Sequence, residues 1–219
     1  MKLKIIAATV GLIFGCAVLA HSAELRVTVK DQKGKNVEDA VVLAVAADPR
    51  NAQRLKPPQN AVDQVDKQFV PYVKPVFVGS TVRFPNSDNI RHQVYSFSPA
   101  KKFELPLYAG ANAPPVIFDK PGVVVLGCNI HDWMIGYIYV AETPFFAKTG
   151  PLGTASISDL PPGEYSVRIW HPNMDRAEET TSRRIMVGAE PVATAEWQID
   201  LKASIRVPRV SGAASPSYP

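Results

Sequence analysis

The sequence predicts an all-β protein, and three observations point to this fold class. Short apolar or alternating segments of about four to eight residues recur along the chain. Gly, Pro, Asn and Asp separate these segments, and the 219 residues include 20 prolines. No long apolar repeat with a helical period competes with this pattern. Several short strands at such spacing are typical of β-sandwiches and barrels.

Ten segments have the apolar content and the boundaries expected of strands. In chain order they are residues 25–29, 40–45, 74–78, 81–84, 93–97, 115–118, 122–128, 136–140, 164–170 and 194–201.

Residues 1–23 have the layout of a secretory signal peptide, which predicts export to the periplasm. Two lysines precede an apolar run, Ile5–Ala20, and small residues follow it up to a cleavage site after Ala20 or Ala23. A membrane anchor is the alternative, but the run is shorter than the roughly 20 residues that a spanning helix needs. Lipoprotein processing at Cys16 is a further alternative. No later segment is long and apolar enough to span a membrane stably.

The charge of the chain argues against nucleic acid as a partner. The predicted leader contains two lysines and no acidic residue, so 22 Lys and Arg remain against 20 Asp and Glu. No basic block interleaved with aromatic residues occurs in the remaining chain.

Two distant segments resemble halves of one small domain. Residues 24–45 (ELRVTVKDQKGKNVEDAVVLAV) and 153–173 (GTASISDLPPGEYSVRIWHPN) are similar to the prealbumin-like or immunoglobulin-like sandwich of carboxypeptidase regulatory-like domains. About 100 residues separate the halves, so this resemblance implies an inserted domain. The predicted organisation is a leader at 1–23, the smaller sandwich at 24–50 and 148–202, the inserted domain at 51–147 and a disordered tail at 203–219.

The inserted segment contains GCNIHDWM, in which Cys128, His131 and Met134 are spaced three residues apart at the end of an apolar strand. A thiolate, an imidazole and a thioether suit copper, and a His₂Cys plane with a long axial Met is the blue-copper geometry. A second histidine is needed, and after the leader only His92 and His171 remain. If Cys16 is removed with the leader, Cys128 is the only thiol. The alternatives to a metal-binding role for Cys128 are a buried inert cysteine and an intermolecular disulfide.

The surrounding sequence resembles the cupredoxin family. Residues 67–97 (KQFVPYVKPVFVGSTVRFPNSDNIRHQVYSF) and 118–140 (FDKPGVVVLGCNIHDWMIGYIYV) follow its two ligand-bearing segments. The short C-x-x-H-x-x-M loop is similar to that of amicyanin, and the whole resembles methylamine utilization proteins of plastocyanin or azurin type. The resemblance implies a Greek-key β-sandwich that binds one type 1 copper through His92, Cys128, His131 and Met134.

Residues near these ligands have two interpretations each. Asn86 and Asn129 are expected either to fix the ligand loops or to form turns. Trp133 is expected either to shield the metal beside His131 or to pack in the core, and a core role is also open to Met134. The structural role of His171 is favoured because it lies in the smaller sandwich.

The long segment between the two ligand strands, residues 98–122, contains LPLYAGANAPP (105–115), which is expected to form a loop that covers the copper. The resemblance implies electron transfer to or from a redox partner protein, such as a periplasmic dehydrogenase or a cytochrome. The sequence has no Ser/His/Asp set, so we expect an electron carrier and not an enzyme. The alternative is a copper-binding assembly or delivery protein that docks through the smaller sandwich.

Overall fold

A computed structural model of the protein describes residues 23–51, 59–188 and 190–203. The predicted leader with Cys16 and the predicted tail lie outside the described residues, apart from Ala23 and Ala203 at their ends.

The described residues form seventeen β-strands. They are β1 (Ala23–Asp31), β2 (Val41–Ala46), β3 (Gln59–Ala61), β4 (Asp63–Val65), β5 (Gln68–Val70), β6 (Val73–Phe77), β7 (Ser80–Arg83), β8 (His92–Ser98), β9 (Lys101–Tyr108), β10 (Val116–Phe118), β11 (Gly122–Gly127), β12 (Ile135–Ala141), β13 (Phe146–Lys148), β14 (Thr154–Leu160), β15 (Gly163–Trp170), β16 (Arg183–Val187) and β17 (Val192–Ile199). Two short 3₁₀ helices occupy Pro49–Asn51 and Glu178–Thr181. The predicted all-β class is confirmed. Within the described ranges, no helix has the length and apolar character needed to cross a membrane.

Strands from both ends of the described chain pack together, and we call this unit the terminal sandwich. One sheet has the order β14-β1-β17 and the other the order β13-β2-β15-β16. Alternation directs Leu25, Val27 and Val29 of β1 into the same apolar core as Tyr165 and Ile169 of β15. Burying side chains of this size contributes about 1.5–3 kcal/mol each. Because β1 and β2 belong to different sheets, the Gly34 turn between them joins two layers and does not close a hairpin.

The strands between β2 and β13 form separate sheets, which we call the central sandwich. A five-stranded sheet has the order β6-β12-β11-β8-β9, a three-stranded sheet has the order β10-β7-β3, and β4 and β5 form a hairpin. Phe84, Phe118, Leu126 and Ile138 belong to its buried core. Strands β8 and β11 are antiparallel neighbours in the larger sheet, so the start of β8 and the end of β11 lie at the same edge of the sandwich.

An apolar and aromatic cluster joins the two sandwiches. Val41 and Leu43 of β2 pack against Val73 of β6 and against Tyr139 and Ala141 of β12. The ring of Trp170 lies 5.2 Å from the ring of Tyr139 and 5.9 Å from that of Tyr137. Strands β6 and β12 of the five-stranded sheet thus contact the terminal sandwich.

Strands occur at all ten predicted positions, and their ends lie within two residues of the predicted ones. The expected loop at 105–115 is wrong in its first part, because Lys101–Tyr108 forms β9 and pairs with β8. Its alternation is weak and Pro106 lies inside it, so the sequence pattern favoured a loop. An edge strand tolerates this proline because only one of its sides is hydrogen-bonded to a neighbour.

Candidate metal centre

The fold brings three of the predicted ligands to one end of the central sandwich. His92 is the first residue of β8, and Cys128 directly follows β11, its antiparallel neighbour. His131 lies in the turn between β11 and β12, where its carbonyl accepts a hydrogen bond from the Met134 N–H at 2.9 Å. This turn keeps the C-x-x-H-x-x-M motif at the end of the sheet, where it faces His92, which is distant in sequence.

The side-chain atoms of these residues have the spacing that a single metal ion requires. Cys128 Sγ lies 3.7 Å from His92 Nδ1 and 3.9 Å from His131 Nδ1. One potential ligand atom from each residue falls within 4.8 Å of the others. With sulfur and nitrogen bond lengths of about 2.3 and 2.0 Å, as for zinc, trigonal ligand atoms lie about 3.7 Å apart. The donor set therefore fits one thiophilic ion.

Met134 ends the turn that carries Cys128 and His131. It belongs to the same buried core cluster as Cys128, and both residues line a cavity of about 460 Å³. Tyr95 and Phe97 of β8 line the cavity as well. Because Met134 is buried beside Cys128, it could serve either as a packing residue or as a weak thioether donor to a metal.

The four side chains differ in their contact with solvent. His92, Met134 and Cys128 are 0%, 1% and 3% exposed, respectively, whereas His131 is partly exposed. The ring of Trp133 lies 5.2 Å from the His131 ring. Next to them, Ile130 is 48% exposed. The site is therefore closed on the His92 side and reaches the surface through His131.

Electrostatics favour a charged sulfur in this pocket. Burial raises the pKa of the Cys128 thiol, but hydrogen bonds with His92 and with the backbone of Gln93 and Ile130 outweigh it, so the net pKa is lowered. Burial also opposes protonation of His92, yet contacts with Cys128 and Asp88 raise its pKa overall. A thiolate is the form in which cysteine binds metals.

The loop that precedes His92 is fixed by Asn86. Its amide donates hydrogen bonds to the carbonyls of Ile90 (2.8 Å) and Tyr108 (2.9 Å), and its oxygen accepts one from the Asp88 N–H (3.1 Å). Asn86 is buried, so these bonds anchor the loop firmly to the end of β9. Asn129, by contrast, is exposed and lines the cavity.

Sequence reasoning missed Asp88, which lies four residues before His92. Its Oδ2 atom is 2.7 Å from His92 Nε2, on the imidazole side opposite the sulfur. The D-x-x-x-H spacing was available as a signal, but in a loop this spacing does not by itself define a contact.

His171 is not brought to the site. It lies in the terminal sandwich, where it is buried and its Nδ1 accepts a hydrogen bond from the Asn173 N–H at 3.1 Å. Burial lowers its pKa to about 4, an effect that the charge of Asp39 partly offsets. These contacts agree with the predicted structural role.

No protein-family profile matches the sequence, and no curated protein matches it. Among solved structures, the chain is similar to a copper-containing nitrite reductase from Thermus scotoductus, with 31% identity over 46% of this chain and 25% of that chain, and a TM-score of 0.37. A purple cupredoxin from Nitrosopumilus maritimus is 21% identical over 38% of this chain and 100% of that chain, with a TM-score of 0.34. An amicyanin variant is 21% identical over 46% of this chain and 98% of that chain, with a TM-score of 0.35.

The chain thus spans a quarter of the nitrite reductase and nearly the whole length of the two smaller proteins. Each match covers less than half of this chain.

Proposed function

We propose that the protein is a cupredoxin-type electron carrier that binds one type 1 copper ion. His92, Cys128 and His131 would hold the ion, and the Met134 thioether would be a weaker fourth donor. The convergence of two Nδ1 atoms on Cys128 Sγ at 3.7 and 3.9 Å carries this proposal. Bound copper would supply a one-electron couple between Cu(II) and Cu(I).

The surrounding residues suit electron transfer because they hold the ligands in place. His92 and Cys128 are anchored to neighbouring strands, and hydrogen bonds fix the turns that carry them. Buried ligands on rigid strands resist rearrangement when the charge of a bound ion changes. Burial also excludes water from the sulfur, which protects the thiolate from oxidation.

The partly exposed His131 is the proposed contact point for a redox partner. It is the most accessible of the four ligands, and Trp133 and Ile130 place apolar surface beside it. A partner with a complementary apolar surface, such as a periplasmic dehydrogenase or a cytochrome, would contact the protein there. We propose no substrate turnover by this chain itself.

The signal-peptide pattern at 1–23 supports export to the periplasm, and the resemblance to methylamine utilization proteins of plastocyanin or azurin type supports a role in methylamine utilization. The separate cores of the two sandwiches support an inserted domain at about 51–147.

Voltammetry of the copper-loaded protein, with metal analysis before and after repeated cycles, tests the electron-carrier function. We expect a reversible one-electron wave with copper retained in both oxidation states. A delivery protein would instead lose Cu(I) to an acceptor such as a small copper-binding peptide. Release of copper on reduction would therefore contradict the carrier function.

A further inference from the structure

The carboxylate of Asp88 lies between His92 and the tip of the β4–β5 hairpin. Its Oδ2 atom is 2.7 Å from His92 Nε2, and it accepts the Lys67 N–H at 2.9 Å. Its Oδ1 atom accepts the Asp66 N–H at 2.7 Å. The Asp88 side chain is only 13% exposed. Two backbone N–H groups of the hairpin and one ring nitrogen of His92 thus converge on one largely buried carboxylate.

The hairpin is shaped to present these two N–H groups. Asp66 and Lys67 form its two-residue loop, and both have positive φ angles, 52° and 57°. Positive φ at both central residues is characteristic of the type I′ turn, whose twist matches that of paired strands. The Asp88 backbone is held in turn by Asn86, whose oxygen accepts the Asp88 N–H. The carboxylate is therefore fixed independently of His92.

We propose that Asp88 is a positioning residue for the metal centre and that its charge lowers the reduction potential of bound copper; this rests on the proposed function. A carboxylate can only accept hydrogen bonds, so the neutral His92 ring must carry its proton on Nε2. The lone pair then resides on Nδ1, the atom that faces Cys128 Sγ at 3.7 Å. Carboxylate partners of this kind orient ligand histidines and make them more basic.

The expected effect on copper follows from charge. A negative group beside His92 stabilises the more highly charged Cu(II) relative to Cu(I), and so does a more basic imidazole. Asp88→Asn removes the charge and leaves too few acceptors for the three N–H donors. We expect copper affinity to fall about 10–100-fold and the reduction potential to rise.

Asp63→Asn is the matched control. Asp63 lies at the base of the same hairpin, where it accepts hydrogen bonds from the Ser87 hydroxyl (2.8 Å) and the Gln64 N–H (2.7 Å). This variant removes an equal charge and also weakens contacts with the 86–88 loop, but it touches no proposed ligand. Its copper affinity and potential should change much less than those of Asp88→Asn.

A measurement on the metal-free wild type needs no variant to fold. Long-range ¹H–¹⁵N spectra at alkaline pH should show the neutral His92 ring with its proton on Nε2. A proton on Nδ1 would overturn the positioning role whether or not copper binds. If the wild type binds copper with a thiolate signature but Asp88→Asn and Asp63→Asn have equal affinities and potentials, the inference fails and the proposed function stands. Absence of that signature in the wild type would instead contradict the proposed function.

Discussion

The phenol of Tyr139, on β12 of the central sandwich, donates a hydrogen bond to the Glu178 carboxylate of the terminal sandwich, with 2.8 Å to each carboxylate oxygen. Arg168 binds the same carboxylate at 3.1 Å and also pairs with Glu142. Burial raises the pKa of both Tyr139 and Glu178. This network and the ring of Trp170 fix the two sandwiches against each other.

Tyr139→Phe should therefore destabilise the protein by about 1–3 kcal/mol, because the variant removes a donor from a largely buried carboxylate. Urea unfolding monitored by tryptophan fluorescence measures the change. Tyr137→Phe is the control, because the Tyr137 ring also packs near Trp170. This variant removes a hydroxyl group and leaves the contact between the two rings intact. Equal stability of Tyr139→Phe and the wild type would show that the network does not hold the sandwiches together.

Acid should weaken the protein through His171. Its pKa is about 4 in the folded state, below the ordinary 6.5, so between these values the unfolded chain binds a proton that the folded chain does not. Stability contributed by the neutral ring is thus present above the ordinary pKa and is lost as the pH falls towards 4. From about pH 8 to pH 5 this loss should reach about 2 kcal/mol.

The variant His171→Asn tests this account because an amide oxygen can accept the Asn173 N–H without titrating. Its unfolding free energy should fall less than that of the wild type over the same pH range. Identical pH dependence of the two proteins would mean that His171 does not contribute to acid sensitivity.

Gly136 should not tolerate a side chain. A Cβ atom there would lie 2.7 Å from the Cβ of the buried Phe69, which cannot move without shifting the β5 backbone. We expect Gly136→Ala to lower the unfolding free energy by about 1–3 kcal/mol. Gly150→Ala meets no atom within 4 Å and serves as the control, with a change of less than about 1 kcal/mol. A Gly136→Ala variant as stable as this control would contradict the packing described for β12.

Met134→Leu separates the two interpretations of this buried residue. Leucine has a similar volume, so the fold should lose less than about 1.5 kcal/mol and copper should remain bound. Loss of the thioether donor should raise the reduction potential, because the axial ligand tunes it. Voltammetry measures this change in reduction potential. An unchanged potential would make Met134 a packing residue, and complete loss of copper would contradict a weak axial role.

The local parts of the site were predictable from sequence, whereas contacts between distant segments were not. Cys128, His131 and Met134 share one turn, and their spacing alone indicates a soft metal site. The choice of His92 over His171 needed the cupredoxin resemblance, because the spacing of single histidines does not determine which strand ends meet. Asp88 was missed for the same reason, since its role depends on a hairpin tip more than 20 residues earlier.

The fold shows a similar division. Strands with clear alternation, such as β1 and β15, were predicted, and their buried residues lie on one face. Strand β9 was not, because Pro106 and two adjacent lysines interrupt its pattern at an exposed edge. The contact of Trp170 with Tyr139 joins residues from separate sandwiches, so no local pattern could indicate it.

The visible spectrum of the purified protein after addition of one equivalent of Cu(II) tests the central claim most directly. With Cys128 Sγ between two imidazole nitrogens, we predict an intense thiolate-to-copper charge-transfer band in the wild type and its disappearance in Cys128→Ser. A wild-type spectrum that lacks this band, or one that survives the loss of the sulfur, would contradict the assignment of residues 92, 128 and 131 as a copper site.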